Sequence, residues 1–148
     1  MKGEMEAKGG RTVTVLLVDD NAVDREGVRR AFKKLKIANP IVEAVDGLDA
    51  LEKLSGARGN TPVPRPYIIL LDINMPRLNG IDFLAQLRAD AMLQDSVVFV
   101  LTTSKSDEDR VASYDFNVAG YIIKSDVGAG FLQVVEMLAH YWRVVELP

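Results

Sequence analysis

The chain has 148 residues and no cysteine, one histidine and one tryptophan. The lack of thiols excludes a disulfide framework, a thiolate metal site and a cysteine nucleophile, and suits a reducing compartment. No run approaches the ~20 apolar residues that a membrane span needs. The opening segment, Met1 to Arg11, has no apolar h-region, so it is not a secretory signal and reads as a disordered tail over 1–11. Lys/Arg-rich blocks are missing, and the formal charge of −3 argues against a nucleic-acid surface. Neither an internal repeat nor a second domain is visible, which leaves one domain over 12–148 with length enough for a real core. The six residues after Trp142 are too few for an effector module.

What is present is an alternation of strand and helix patterns. Thr12–Val18, Ile41–Val45, Tyr67–Leu71, Val97–Leu101 and Val118–Ile123 read as strands. Helical spacing recurs over Val23–Leu35, Asp46–Leu54, Gly80–Arg88 and Val127–Trp142, and Ser106 followed by Asp107-Glu108-Asp109 reads as a further helix start, capped by Ser106. Asn39-Pro40 is expected to end the first helix, and Ser55–Pro66, rich in Pro and Gly, reads as a surface loop. Short connections imply right-handed crossovers, hence an α/β fold: a doubly wound five-stranded parallel sheet with helices on both faces, in the flavodoxin-like order 2-1-3-4-5.

Four apolar runs end in polar side chains suited to one task. The first ends in Asp19-Asp20, the third in Asp72, the fourth in Thr102 and the fifth in Lys124. In a parallel sheet these groups meet at the carboxyl edge, where open α/β sheets place their functional crevices. Three carboxylates held close would repel one another, and a divalent cation removes that conflict. Oxygen-only ligands favour magnesium, manganese or calcium over zinc. A carboxylate can also be the nucleophile that forms an aspartyl-phosphate, and Asp72, at the end of a central strand, is the better candidate. Lys124 can balance phosphate oxygens, and the Thr102 hydroxyl can donate to another.

The segments Leu16-Leu17-Val18-Asp19-Asp20-Asn21, Leu70-Leu71-Asp72-Ile73-Asn74-Met75-Pro76, Asn79-Gly80, Leu101-Thr102-Thr103 and Gly120-Tyr121-Ile122-Ile123-Lys124 together resemble the receiver domain of two-component response regulators. The resemblance spans about Val13 to Tyr141. The Pro-rich loop and the ending Tyr141-Trp142 look like stand-alone regulators paired with phytochrome-type kinases. It implies a cytoplasmic phosphoryl switch in a two-component phosphorelay: Asp72 accepts a phosphoryl group from a histidine kinase and signals to a protein partner, and the receiver catalyses its own phosphorylation and dephosphorylation. The cofactor implied is Mg2+, held by Asp20 directly, Asp19 through water, the Asp72 side chain and the Asn74 carbonyl. Thr102 and Tyr121 are the implied switch residues, and Asn74 and Ser104 tune dephosphorylation, Asn74 by orienting an attacking water. Ser125 stands where the family usually has proline, and Thr103 where a small residue is usual.

The last helix carries two apolar stripes, Phe131, Val135, Leu138, Trp142 and Val134, Met137, Tyr141. Either it packs deeply beneath its neighbours, or it forms a symmetric homodimer with the fifth strand. The lone His140 reads as structural or solvated, and Asp107-Glu108-Asp109 as a solvated helix start. Two other functions compete. A magnesium-dependent phosphohydrolase would need a second acid where Asn74 stands, and a non-phosphorylated interaction module would usually have lost part of the acid pair, Asp72 or Lys124.

Overall fold

The computed structural model describes residues 12–75, 78–102, 104–112 and 114–123. The expected tail over 1–11, Thr103, Lys124, Ser125, the last helix with its apolar stripes and His140 lie outside these residues. Along the described chain run β1 (Thr14–Val18), α1 (Ala22–Lys34), β2 (Ile41–Ala44), α2 (Gly47–Ser55), β3 (Tyr67–Asp72), α3 (Gly80–Ala89), β4 (Val97–Thr102), α4 (Lys105–Ala112) and β5 (Gly120–Ile123). The strands form one sheet in the order β2-β1-β3-β4-β5, all neighbours parallel. That is the expected doubly wound topology.

Alternation along each strand sends side chains to opposite faces. Val15, Leu17, Ile68, Leu70, Phe99 and Leu101 meet Val28, Ala31 and Phe32 of α1 on one face. Leu16, Val18, Ile69, Leu71, Val98 and Val100 meet Leu54 of α2, Phe83, Leu84 and Leu87 of α3 and Val111 of α4 on the other. Every residue of β3 is buried, which explains its almost wholly apolar composition.

Several boundaries differ from the sequence reading, each for a local reason. α1 begins at Ala22 because the Asn21 side chain accepts from the Val23 and Asp24 amides. It ends well before Pro40. Lys36 adopts a left-handed φ of 56°, and Lys36 and Ile37 N–H donate to the Lys33 and Phe32 carbonyls. This is a Schellman closure without glycine. Asp46 is not the first residue of α2 but its cap, accepting from the Asp49 amide at 2.8 Å. The Ser55–Pro66 segment is not wholly surface: it contains a 3₁₀ turn at Ala57–Gly59, and Val63 donates to the Lys53 carbonyl while its side chain enters the core.

Candidate functional site

β1 and β3 are adjacent, with Val18 paired to Leu71, so Asp19, Asp20 and Asp72 emerge side by side at the carboxyl edge. One carboxylate oxygen from each lies within 4.8 Å of the others. Asp19 and Asp72 are buried, while Asp20 is exposed. This donor set fits a small hard cation: two carboxylates set into the fold, a third facing water, and an open side for waters and a phosphate.

The chain around the acids is held firmly. Asp19 Oδ1 accepts from the Asn21 amide at 2.9 Å, and Arg25 of α1 donates to the Asp19 carbonyl at 2.7 Å. Beyond Asp72, the Gly80 N–H donates to the Ile73 carbonyl at 3.0 Å, closing the β3–α3 loop on itself. Asn79 caps α3, its side chain accepting from the Asp82 amide. The Asn74 amide N–H faces Asp72 Oδ1 at 3.3 Å.

Thr102 ends β4 one position past Leu101, the register partner of Asp72. It is buried, and its hydroxyl donates to the Ser104 carbonyl at 2.9 Å while accepting from the Ser104 amide at 3.2 Å. Ser104, not Ser106, caps α4: its hydroxyl accepts from the Asp107 amide at 3.1 Å, and its carbonyl accepts from Glu108 N–H. Tyr121 on β5 is partly buried against the α2–α4 side of the core. Burial pushes its phenol pKa up, Glu108 adds to that rise and Lys105 opposes it. Lys124 follows Ile123, which pairs with Thr102.

An open cleft of about 440 Å³ runs beside the acids, lined by Asp20, Ile73, Asn74, Met75, Asn79 and Arg110. Two residues in contact with its Asn74 escaped the sequence reading. Asp107 is more than a solvated helix start, because its Oδ2 accepts from Asn74 Nδ2 at 3.1 Å. Arg110 donates to Asn74 Oδ1 at 3.3 Å and pairs with Asp107 at 3.8 Å. The sequence carries no local signal for contacts that span more than thirty residues.

A response regulator receiver domain matches residues 15–134. Response regulator Rcp1 of Synechocystis is 33% identical over 135 residues, covering 90% of this chain and 92% of that protein. The phosphorylated cyanobacterial phytochrome response regulator RcpA superposes with a TM-score of 0.78 at 31% identity, covering 91% of this chain and 97% of that one. The Mn2+-bound form of Rcp1 superposes with a TM-score of 0.76 at 32% identity, over 91% and 98% of the two chains. A sheet in this order, an acidic triad at its switch point and these similarities agree: the chain belongs to the receiver-domain family of two-component response regulators.

Proposed function

We propose that the receiver accepts a phosphoryl group on Asp72 from the phosphohistidine of a histidine kinase, with Mg2+, and changes shape to signal to a protein partner. The observation that carries this reading is the convergence of Asp19, Asp20 and Asp72 within 4.8 Å at the sheet's carboxyl edge. Asp20, Asp19, the Asp72 side chain and the Asn74 carbonyl are the residues suited to hold the cation. When bound, Mg2+ supplies charge neutralisation for the phosphoryl oxygens.

In the transfer, an Asp72 carboxylate oxygen attacks phosphorus. The new P–O bond forms as the donor's P–N bond breaks, and the bonding pair leaves with the imidazole, which takes up a proton. Lys124 supplies a positive charge for the phosphoryl oxygens. Thr102 supplies a neutral donor once it gives up its bond to the Ser104 carbonyl, so its position reports occupancy. Tyr121 follows Thr102 inward, and Asn74 and Ser104 set the rate of hydrolysis.

The phytochrome regulators among the similar structures support a phytochrome-type kinase as the donor, and a cytoplasmic setting is part of the same reading. A second copy docking through β5 and the last helix is the dimer this reading includes, and sedimentation with and without phosphorylation tests it. A phosphohydrolase is disfavoured because the Asn74 amide cannot serve as an acid or base. The direct test is incubation with acetyl phosphate, with Mg2+ or with EDTA, read by intact mass. A Mg2+-dependent gain of one phosphoryl group supports the proposal. No gain would favour the non-phosphorylated module.

A further inference from the structure

The Asn74 side chain is bonded to α4, while its backbone N–H faces Asp72. Both ends of its amide are engaged there. Nδ2 donates to the Asp107 carboxylate and Oδ1 accepts from the Arg110 guanidinium, an orientation fixed because a carboxylate only accepts and a guanidinium only donates. Asp107 is itself held by the Ser104 cap and by its ion pair with Arg110. All three side chains border the cleft that leads to Asp20 or contact a residue that does.

We propose that Asp107 and Arg110 are positioning residues that hold the Asn74 amide against α4 and so lengthen the life of the phosphoryl group. The inference rests on the reading of Asp72 as phosphoacceptor. In hydrolysis a water oxygen attacks phosphorus, the P–O bond to Asp72 breaks, and the pair returns to the carboxylate. The proton lost by the water passes to the phosphate or to solvent. An Asn74 amide released from α4 can orient that water, whereas one held by Asp107 and Arg110 is not free to move to it. Any displacement of α4 that breaks these two contacts would then change the rate at which the phosphoryl group is lost.

The experiment measures phosphoryl lifetime after removal of acetyl phosphate, in Mg2+, for wild type, Asp107→Ala, Arg110→Ala, Asn74→Ala and the two double variants with Asn74→Ala. The side-chain amide signal of Asn74 is followed by NMR in the unphosphorylated chains. The expected result is a lifetime shortened about two- to tenfold in each α4 variant, the scale of one or two exposed hydrogen bonds. Arg110→Lys, which keeps a donor, should retain part of the lifetime. The amide signal should move in both α4 variants, and neither substitution should shorten the lifetime when Asn74 is already alanine. Unchanged lifetimes overturn the proposal, as does a shortening that persists without Asn74, which would mark general loosening of α4. A wild-type chain that takes up no phosphoryl group overturns the phosphoacceptor reading itself, and this inference with it.

Discussion

Gly80 packs its α-carbon directly over Ile73: a Cβ built there would stand 2.7 Å from Ile73 Cα and 2.8 Å from the Asp72 carbonyl oxygen. These are backbone atoms, so no side-chain rotation relieves the clash. The Gly80 N–H bond to Ile73 pins the same point. Gly80→Ala should therefore shift the β3–α3 loop and cost about 1–3 kcal/mol, the range for overpacking. Urea unfolding should show a lower midpoint with an unchanged slope. A midpoint equal to wild type would mean the loop is not held by this contact.

The acidic cluster predicts a metal-dependent stability. Carboxylates this close repel when ionised, and a cation bound only by the folded chain adds stability by mass action. Mg2+ at a hundredfold excess over its Kd should stabilise the wild type by about 2.7 kcal/mol. Asp20→Asn should respond much less to Mg2+, yet unfold at a higher temperature than wild type when both are in EDTA. Thermal melts across a Mg2+ series check both halves.

Thr102 should show a graded effect. Its hydroxyl organises the turn into α4 through Ser104 and is the proposed donor to the phosphoryl group. Thr102→Ala should slow phosphoryl uptake about three- to tenfold, the worth of roughly 1 kcal/mol for a neutral hydrogen bond. Thr102→Ser should stay near wild type, because the hydroxyl is kept. Rates from stopped time courses with acetyl phosphate distinguish them.

Tyr121 sets an alkaline limit. Burial raises its pKa in the folded chain above the ordinary value of 10.0. The folded state therefore holds its proton more tightly than the unfolded chain. The resulting stability is fully present below the unfolded pKa and is lost as pH rises through the folded one. Wild-type stability should fall more steeply above pH 10 than that of Tyr121→Phe, as denaturant midpoints across that range would show.

Much of this was legible because buried strands and site residues meet at abrupt transitions. Leu70-Leu71 giving way to Asp72, and Leu17-Val18 to Asp19-Asp20, mark both a strand end and the edge where the proposed site lies, and the sheet order then brings the acids together. What could not be read depends on backbone conformation or distance. Lys36 ends α1 in a left-handed conformation that its side chain does not announce. Ser104 and Ser106 are equally good caps by type, and only the start of α4 at Lys105 selects Ser104. The pairing of Asn74 with Asp107 depends on how α4 sits beside the β3–α3 loop, which no periodicity encodes.

The central claim is that Asp72 carries the phosphoryl group, and reductive trapping tests it at the level of the residue. After acetyl phosphate and Mg2+, borohydride reduces an acyl phosphate to the alcohol, leaving homoserine in place of the aspartate, and peptide mass mapping locates it. The account predicts homoserine at position 72 only, and none in Asp72→Asn. Homoserine at Asp19 or Asp20, or a phosphoryl group that survives intact in Asp72→Asn, would contradict it.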